Sequence, residues 1–177
     1  MLRLLRKFRR DRSGLAAIEF AMLAPVLVAM FLGSVEVCDA LNCQQKVTGM
    51  ASTAADLVAQ ETIMKNADIS NVFSAMNAIV YPYPTSSLQI TITSLVDNGK
   101  GGGTVQWSDA QNATARAVGA TVAVPSGVIT AGGTVILCEV SYPYTSPVTD
   151  YITGTAIMSQ VFYERPRRTS AIQRVNG

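Results

Sequence analysis

A long apolar run near the N-terminus is the clearest feature of the hydrophobic pattern. Residues 15–35 hold 17 apolar positions among 21, and the exceptions are one Glu, one Pro, one Gly and one Ser. As a helix this run is about 31 Å long, which matches the hydrocarbon core of a bilayer. It lacks the polar stripe of a soluble amphipathic helix. The pattern predicts a transmembrane segment over residues 15–37.

Beyond this run, apolar positions recur at three- and four-residue steps, which is the period of a helix. The steps continue from Leu41 to Val58, so one helix is predicted over about residues 15–64. Asn66 offers a start for a second helix, and the Tyr-Pro-Tyr-Pro segment at 81–84 ends it. The chain is therefore predicted to stay helical well past the membrane segment.

The hydrophobic period then changes to two, which indicates strands rather than helices. Leu88, Ile90 and Ile92 alternate with polar residues and predict a half-buried strand. The other predicted strands cover residues 105–107, 119–124, 134–142 and 153–163, with a Gly-rich turn at 97–103 and a polar loop at 108–115. Helices followed by strands predict an α+β fold with an antiparallel sheet.

These elements divide the chain into five parts. They are a basic leader at 1–14, the transmembrane segment at 15–37, an extracytoplasmic helical region at 38–80, an antiparallel sheet domain at 85–164 and a C-terminal tail at 165–177. The predicted architecture is a long membrane-spanning helix that continues as a stalk, then a second helix and a small sheet domain.

Charge is concentrated at the N-terminus and sparse elsewhere. Only 15% of the residues are charged, and the net charge is +2. Six basic residues and one acid lie in residues 1–14, which gives this segment +5 and the rest of the chain −3. Because positive flanks stay on the cytoplasmic side, the N-terminus is predicted in the cytoplasm. The same cations are expected to bind anionic membrane lipid.

The composition argues against catalysis and metal binding. The chain has no histidine, which excludes imidazole acid–base chemistry, Ser-His and Cys-His nucleophile pairs and imidazole metal sites. The acids beyond residue 40 are scattered, and the cysteines form no C-x₂-C pair. No catalytic residue, metal site or cofactor is predicted. Nucleic-acid binding is not predicted either, because the basic segment adjoins a membrane segment and has only Phe8 for stacking.

Three cysteines, Cys38, Cys43 and Cys138, leave the disulfide pattern open. Cys38 and Cys43 point about 140° apart on a helix, so a bond between them would need a break in the helix. A bond between Cys43 and Cys138 would join the helix to the sheet, and it is the pairing we favour. Three unbonded thiols are the alternative.

Residues 14–20, which read Gly-Leu-Ala-Ala-Ile-Glu-Phe, resemble a prepilin-peptidase processing site of the type IV pilin class. The longer phrase GLAAIEFAMLAP at 14–25 is similar to TadE-like proteins, which are pseudopilins of the Tad (Flp) pilus secretion systems. The usual aromatic residue after the glutamate in that family is Tyr, whereas this chain has Phe20. The resemblance is strongest over residues 12–36.

The resemblance implies a role for each residue of the motif. Gly14 would precede the cut, and Leu15 would become the new N-terminus. Glu19 would pair with an N-terminal amine, in the same chain or in a neighbouring subunit, and Phe20 would pack beside neighbouring helices. Pro25 lacks a backbone N–H and is predicted to kink the membrane helix.

The function that the resemblance implies is structural rather than enzymatic. The chain would be a minor pseudopilin, a single-pass protein of the inner (cytoplasmic) membrane with its C-terminal domain in the periplasm. Its partners would be a prepilin peptidase, other Tad pseudopilins and the major pilin, and the inner-membrane assembly platform. One alternative is an uncleaved signal-anchored module for extracytoplasmic binding or adhesion. Another is a membrane-tethered periplasmic enzyme.

Overall fold

The structure, a computed structural model, describes residues 13–146 and 155–176. Its elements in chain order are the helix α1 (Ser13–Ala59), the strand β1 (Ile63–Met64), the helix α2 (Asn66–Val80) and the strands β2 (Gln89–Asp97), β3 (Gly102–Gln111), β4 (Thr121–Ala123), β5 (Thr134–Thr145), β6 (Thr155–Glu164) and β7 (Gln173–Arg174). The basic side chains of the predicted leader lie outside the described residues. Helices followed by strands confirm the predicted α+β class.

The chain divides into two compact units, Met1–Asp39 and Ala40–Gly177. In the first unit the described residues belong to α1, and nearly all their side chains from 14 to 32 are exposed. The second unit contains the rest of α1, the helix α2 and both sheets, and it has a hydrophobic core of its own. One helix therefore carries an uncovered apolar segment and, further along, a buried face.

The main sheet has five strands in the order β4-β3-β2-β5-β6, and each neighbouring pair is antiparallel. The Asp97 carboxylate at the end of β2 accepts backbone hydrogen bonds from Gly132 at 2.9 Å and Gly99 at 3.0 Å. These bonds order the turn to β3 and lower the pKa of Asp97. The strands β1 and β7 form a separate two-stranded parallel sheet. The antiparallel sheet predicted from the sequence is thus confirmed.

The main core fills the space between the helices and one face of the sheet. The helix α1 contributes small or flexible side chains at helical spacing, namely Cys43, Val47, Met50, Ala51, Ala54, Ala55 and Val58. The strands contribute every second residue, including Ile90 and Ile92 of β2 and Ile136, Cys138, Val140 and Tyr142 of β5. The alternation in the sequence therefore corresponds to one buried face of the sheet.

The opposite face of the sheet is also partly covered. A smaller core on this face consists of Leu95, Val105, Val135 and Leu137, with apolar residues of the segment 120–129 packed against it. The strand β3 has a bulge at Gln106, because Trp107 and Val105 pair with consecutive residues of β2. The extra residue places Trp107 in the main core and Val105 in the smaller one, although the two are two positions apart.

The C-terminal segment, from residue 165 to 176, packs within the second unit, whereas the sequence predicted a tail. Ile172 is buried, and its carbonyl accepts a hydrogen bond from the indole Nε1 of Trp107 at 2.7 Å. Arg174 donates to the Asp109 carboxylate from Nε at 2.8 Å and from Nη2 at 3.1 Å. Its Nη2 also donates to the Asn66 side chain at 2.7 Å. These contacts join the segment to β3 and to the start of α2.

The Arg174 contacts give the first prediction. We expect Arg174→Ala to lower the free energy of unfolding by about 1–3 kcal/mol, because it leaves the largely buried Asp109 carboxylate without its partner. Denaturant unfolding of the purified chain in detergent measures this, with the fluorescence of Trp107, the single tryptophan, as the probe. Arg168→Ala, at an exposed position of the same segment, should change the value by less than about 0.5 kcal/mol. Equal losses in both variants would contradict the assignment.

Candidate functional site

The predicted processing motif lies at the beginning of α1. Gly14, Leu15, Glu19 and Phe20 are all helical and exposed. Leu15 and Glu19 are four residues apart, so they lie on the same face of the helix, one turn from each other. The structure thus puts the predicted first residue of the mature chain and the carboxylate predicted to pair with its amine on one side of α1.

Gly14 makes no packing contact that requires a glycine. A Cβ placed on it would meet no heavy atom within 4 Å, and the residue lies in regular helix. Alanine is favoured over glycine inside a helix by about 1 kcal/mol. Within the described residues, neither packing nor backbone conformation accounts for the missing side chain.

The Glu19 carboxylate is the one acidic group in an apolar stretch of helix surface. The positions one turn away on either side are Leu15, Ala16, Met22 and Leu23, all of them apolar. No hydrogen bond or ion pair to this carboxylate is formed by any residue that the structure describes. An ionised carboxylate away from water needs a cation or hydrogen-bond donors to be stable. In a membrane, this carboxylate would need such a partner.

The helix around the motif has the properties of a membrane anchor. Within the described ranges α1 is the one helix long and apolar enough to cross a bilayer, and the window that meets this test is not buried. Met22 is 74% exposed and Phe31 is 67% exposed. The Ser34 hydroxyl donates to the Phe31 carbonyl at 2.7 Å, so the helix itself satisfies this polar group. Pro25 lies inside the helix, and the kink predicted there stays a prediction.

A polar depression of about 370 Å³ lies on the sheet face opposite the helices. Side chains of β2, β5 and β6, including Thr91, Ser141 and Ser159, form its floor, and the loop after β3 forms a wall. From this loop, Arg116 makes a bidentate ion pair with Glu139 of β5, in which Nη2 donates to Oε1 at 2.9 Å. The pair holds the loop against the sheet.

The two charged side chains of this depression pair with each other. The hydrogen bonds from Arg116 to Glu139 raise the pKa of the guanidinium. Burial, and then the Glu139 charge, raise the pKa of the nearby Tyr163 phenol. Both charged side chains are about one third exposed, so the pair contributes only about 0–1 kcal/mol.

The sequence contained a weak signal for this ion pair. Arg116 is the one charged residue between Asp109 and Glu139, and it stands in a loop of small and apolar residues. An isolated charge in such a loop needs a partner or full solvation. The partner, Glu139, is 23 positions further along the chain on β5, and β2 lies between β3 and β5 in the sheet. The pairing could therefore be identified only from the order of the strands.

Of the three cysteines, Cys38 is exposed, and Cys43 and Cys138 are buried. Burial, followed by the neighbouring Glu139 charge, raises the pKa of Cys138 to about 12, which makes this thiol unreactive near neutral pH. Cys43 and Cys138 belong to the same core, and the bond between them stays a prediction. No group of three His, Cys, Asp or Glu side chains able to hold a metal occurs in the described part of the chain.

These features define an α+β protein whose N-terminal helix can serve as a membrane anchor. Residues 14–56 match the family model described as TadE-like protein. The match begins at Gly14, includes the whole processing motif and follows α1 to Asp56, so the resemblance to TadE-like proteins is confirmed over this part of the chain. The searches of curated proteins and of solved structures each gave no match.

The thiols give the second prediction. In the folded protein in detergent at pH 8, iodoacetamide should label Cys38 at least about tenfold faster than Cys43 and Cys138, because burial and a raised pKa protect a thiol. Intact mass and peptide mapping measure the labelling. Denaturation of a separate, unlabelled sample without reductant should expose three thiols if no bond exists, and one if Cys43 and Cys138 are joined. Fast labelling of Cys138 in the folded chain would contradict its burial.

Proposed function

We propose that this protein is a minor pseudopilin that takes part in assembly of a Tad (Flp) pilus. The observation that carries the proposal is the TadE-like match that starts at Gly14, on a helix whose apolar surface is exposed. The role is structural: α1 is the assembly element, and the sheet domain offers surfaces to other subunits. The proposed partners are a prepilin peptidase, other Tad pseudopilins with the major pilin, and the inner-membrane assembly platform.

The proposed location is the inner membrane, crossed once by α1. The leader carries +5 and adjoins the apolar run, which favours a cytoplasmic N-terminus. The unit Ala40–Gly177 would then lie in the periplasm. Its core is separate from the apolar segment at the start of α1, so this unit needs no membrane to bury its own hydrophobic residues.

The proposed processing step is hydrolysis of the peptide bond between Gly14 and Leu15. Water supplies the hydroxyl of the new Gly14 carboxylate and a proton of the new Leu15 amine. The glycine supports this step because nothing in the described chain packs on it, whereas a side chain there would obstruct a peptidase. The cut removes the basic leader and leaves one α-amino group at the end of the apolar helix.

The new amine is the proposed partner of Glu19. Leu15 and Glu19 lie on one face of α1, and the carboxylate has no partner among the described residues. In apolar surroundings, a charge-assisted hydrogen bond to an amine is far more favourable than an isolated carboxylate. The amine of the same chain or of a neighbouring subunit can meet this need. Pairing between subunits would fix the axial register of neighbouring helices.

The third prediction tests processing in a host that has the Tad machinery. The native chain should be recovered with Leu15 at its N-terminus, and Gly14→Ala should leave at least about 90% of the chain uncut if a side chain there blocks the peptidase. N-terminal sequencing and intact mass measure the cut. Gly33→Ala is the matched control, because Gly33 lies in the same helix with equally open space, and it should be processed normally. A functional native protein that keeps residues 1–14 would favour the uncleaved anchored module instead.

The fourth prediction separates cutting from assembly. Glu19→Gln keeps the shape of the side chain and removes its charge, so cutting should continue while pilus formation falls by about tenfold or more. Quantitative blotting of sheared pili measures assembly, and intact mass measures cutting. Glu61→Gln makes the same chemical change just beyond α1 and should leave both unchanged. Normal piliation with Glu19→Gln would show that charge pairing is not required.

A further inference from the structure

The main sheet ends in two edge strands of very different length. At one side, β4 has three residues and pairs with β3 over only that length. At the other side, β6 has ten residues and pairs with β5 along all of them. Among the described residues, no strand pairs with the far side of β6. The far side is therefore a ten-residue strand edge, along which the N–H and C=O groups of every second residue point outward and could pair with a further strand.

β6 lacks the features that keep an edge strand from pairing. Its register with β5 is continuous from Thr155 to Glu164, without a bulge. It contains no proline and no lysine, and Glu164 at its end is its one charged residue. Natural sheets protect long edges with such residues or with a covering element. An edge without these protections is a ready template for pairing with another strand.

The side chains of β6 alternate between the core and an exposed face. Met158 and Phe162 pack against the main core from one face. On the other face Ile157 is 74% exposed and Val161 is 41% exposed, with Ser159 between them. The exposed face of this edge strand thus presents two apolar side chains placed symmetrically about a small polar residue.

We propose that β6 pairs antiparallel with β6 of a second copy of this chain, about a two-fold axis at Ser159. In this register Ile157 of each copy lies opposite Val161 of the other, on the same face of the joined sheets. Both exposed apolar side chains are then covered by a single symmetric contact. The result is a continuous ten-stranded sheet with an isologous interface.

The charge pattern of the strand suits a second copy as the occupant. Residues 155–163 are uncharged, so self-pairing brings no like charges opposite each other. Anchoring both copies by α1 in one membrane would raise their effective concentration and favour even a modest interface. The strand contact itself uses only residues of the second unit and does not depend on cleavage or on a role in pili.

Cysteine cross-linking of the full-length chain in detergent tests the contact. In a Cys38→Ser background, Ser159→Cys should form a disulfide-linked dimer on mild oxidation, because residues at a two-fold axis between antiparallel strands have Cα atoms about 4.5–5.5 Å apart. Thr155→Cys is the matched control on the same face of the same strand. Its two copies would be eight residues apart in register, about 27 Å, and should stay monomeric on a non-reducing gel.

A charge at Ile157, two positions from the two-fold axis, gives the second measurement. Ile157→Lys should raise the dissociation constant of the dimer by about tenfold or more, because the change removes two symmetry-related apolar pairs. Light scattering over a concentration series measures it, and circular dichroism shows that the exposed substitution leaves the fold intact. A native chain that stays monomeric, or a dimer that cross-links equally at positions 155 and 159, would overturn the proposal. Failure of this test leaves the processing of Gly14 untouched, so the two proposals fail separately.

Discussion

The structure depends on one constraint, which is that the apolar N-terminal part of α1 has to be covered by something other than its own sheet domain. From residue 14 to 32 nearly every side chain is exposed, and most are large and apolar. Exposing apolar surface to water costs a free energy of about 25 cal/mol per Å². From Cys43 onward the same helix shows the alternation of buried and exposed positions that a globular core produces. The first part of α1 thus suits apolar surroundings, and the part from Cys43 onward suits the core of the second unit.

The second unit, Ala40–Gly177, buries apolar residues in a core of its own. Alanines at positions 51, 54 and 55 leave little bulk on the buried face of α1, and larger side chains from α2 and the strands fill the remaining space. The last residues complete this core, because Ile172 enters it and Trp107 binds the carbonyl of Ile172. A domain closed in this way can present its outer face and its long edge strand to other molecules without losing its fold.

Local sequence patterns predicted most of the helices and strands, but they could not predict contacts between residues far apart in the chain. The helical period predicted α1 from residue 15 to about 64, which is five residues beyond its end at Ala59, and the alternation around Ile90 and Ile92 identified β2. β3 is longer than predicted, since the polar residues 108–111 pair with β2 and need no apolar alternation to do so. Ile172 lies in a short, mostly polar segment and gave no periodic signal. The motif at 14–20 could be recognised in the sequence because its residues are contiguous. The partner of Arg116 could be identified only from the order of the strands in the sheet.

Removal of the leader would change the electrostatics around Glu19 in a way that favours assembly after cutting. Before the cut, the charge of +5 in residues 1–14 adjoins the apolar helix and favours contact with anionic lipid headgroups. After the cut, one amine remains for one carboxylate, and the two charges neutralise each other. A neutral pair can enter a packed helical assembly at a far smaller desolvation cost than an isolated charge or a cluster of cations. Processing would therefore act as the switch between a membrane-spanning subunit whose charged leader contacts the lipid headgroups and one that can pack beside its neighbours.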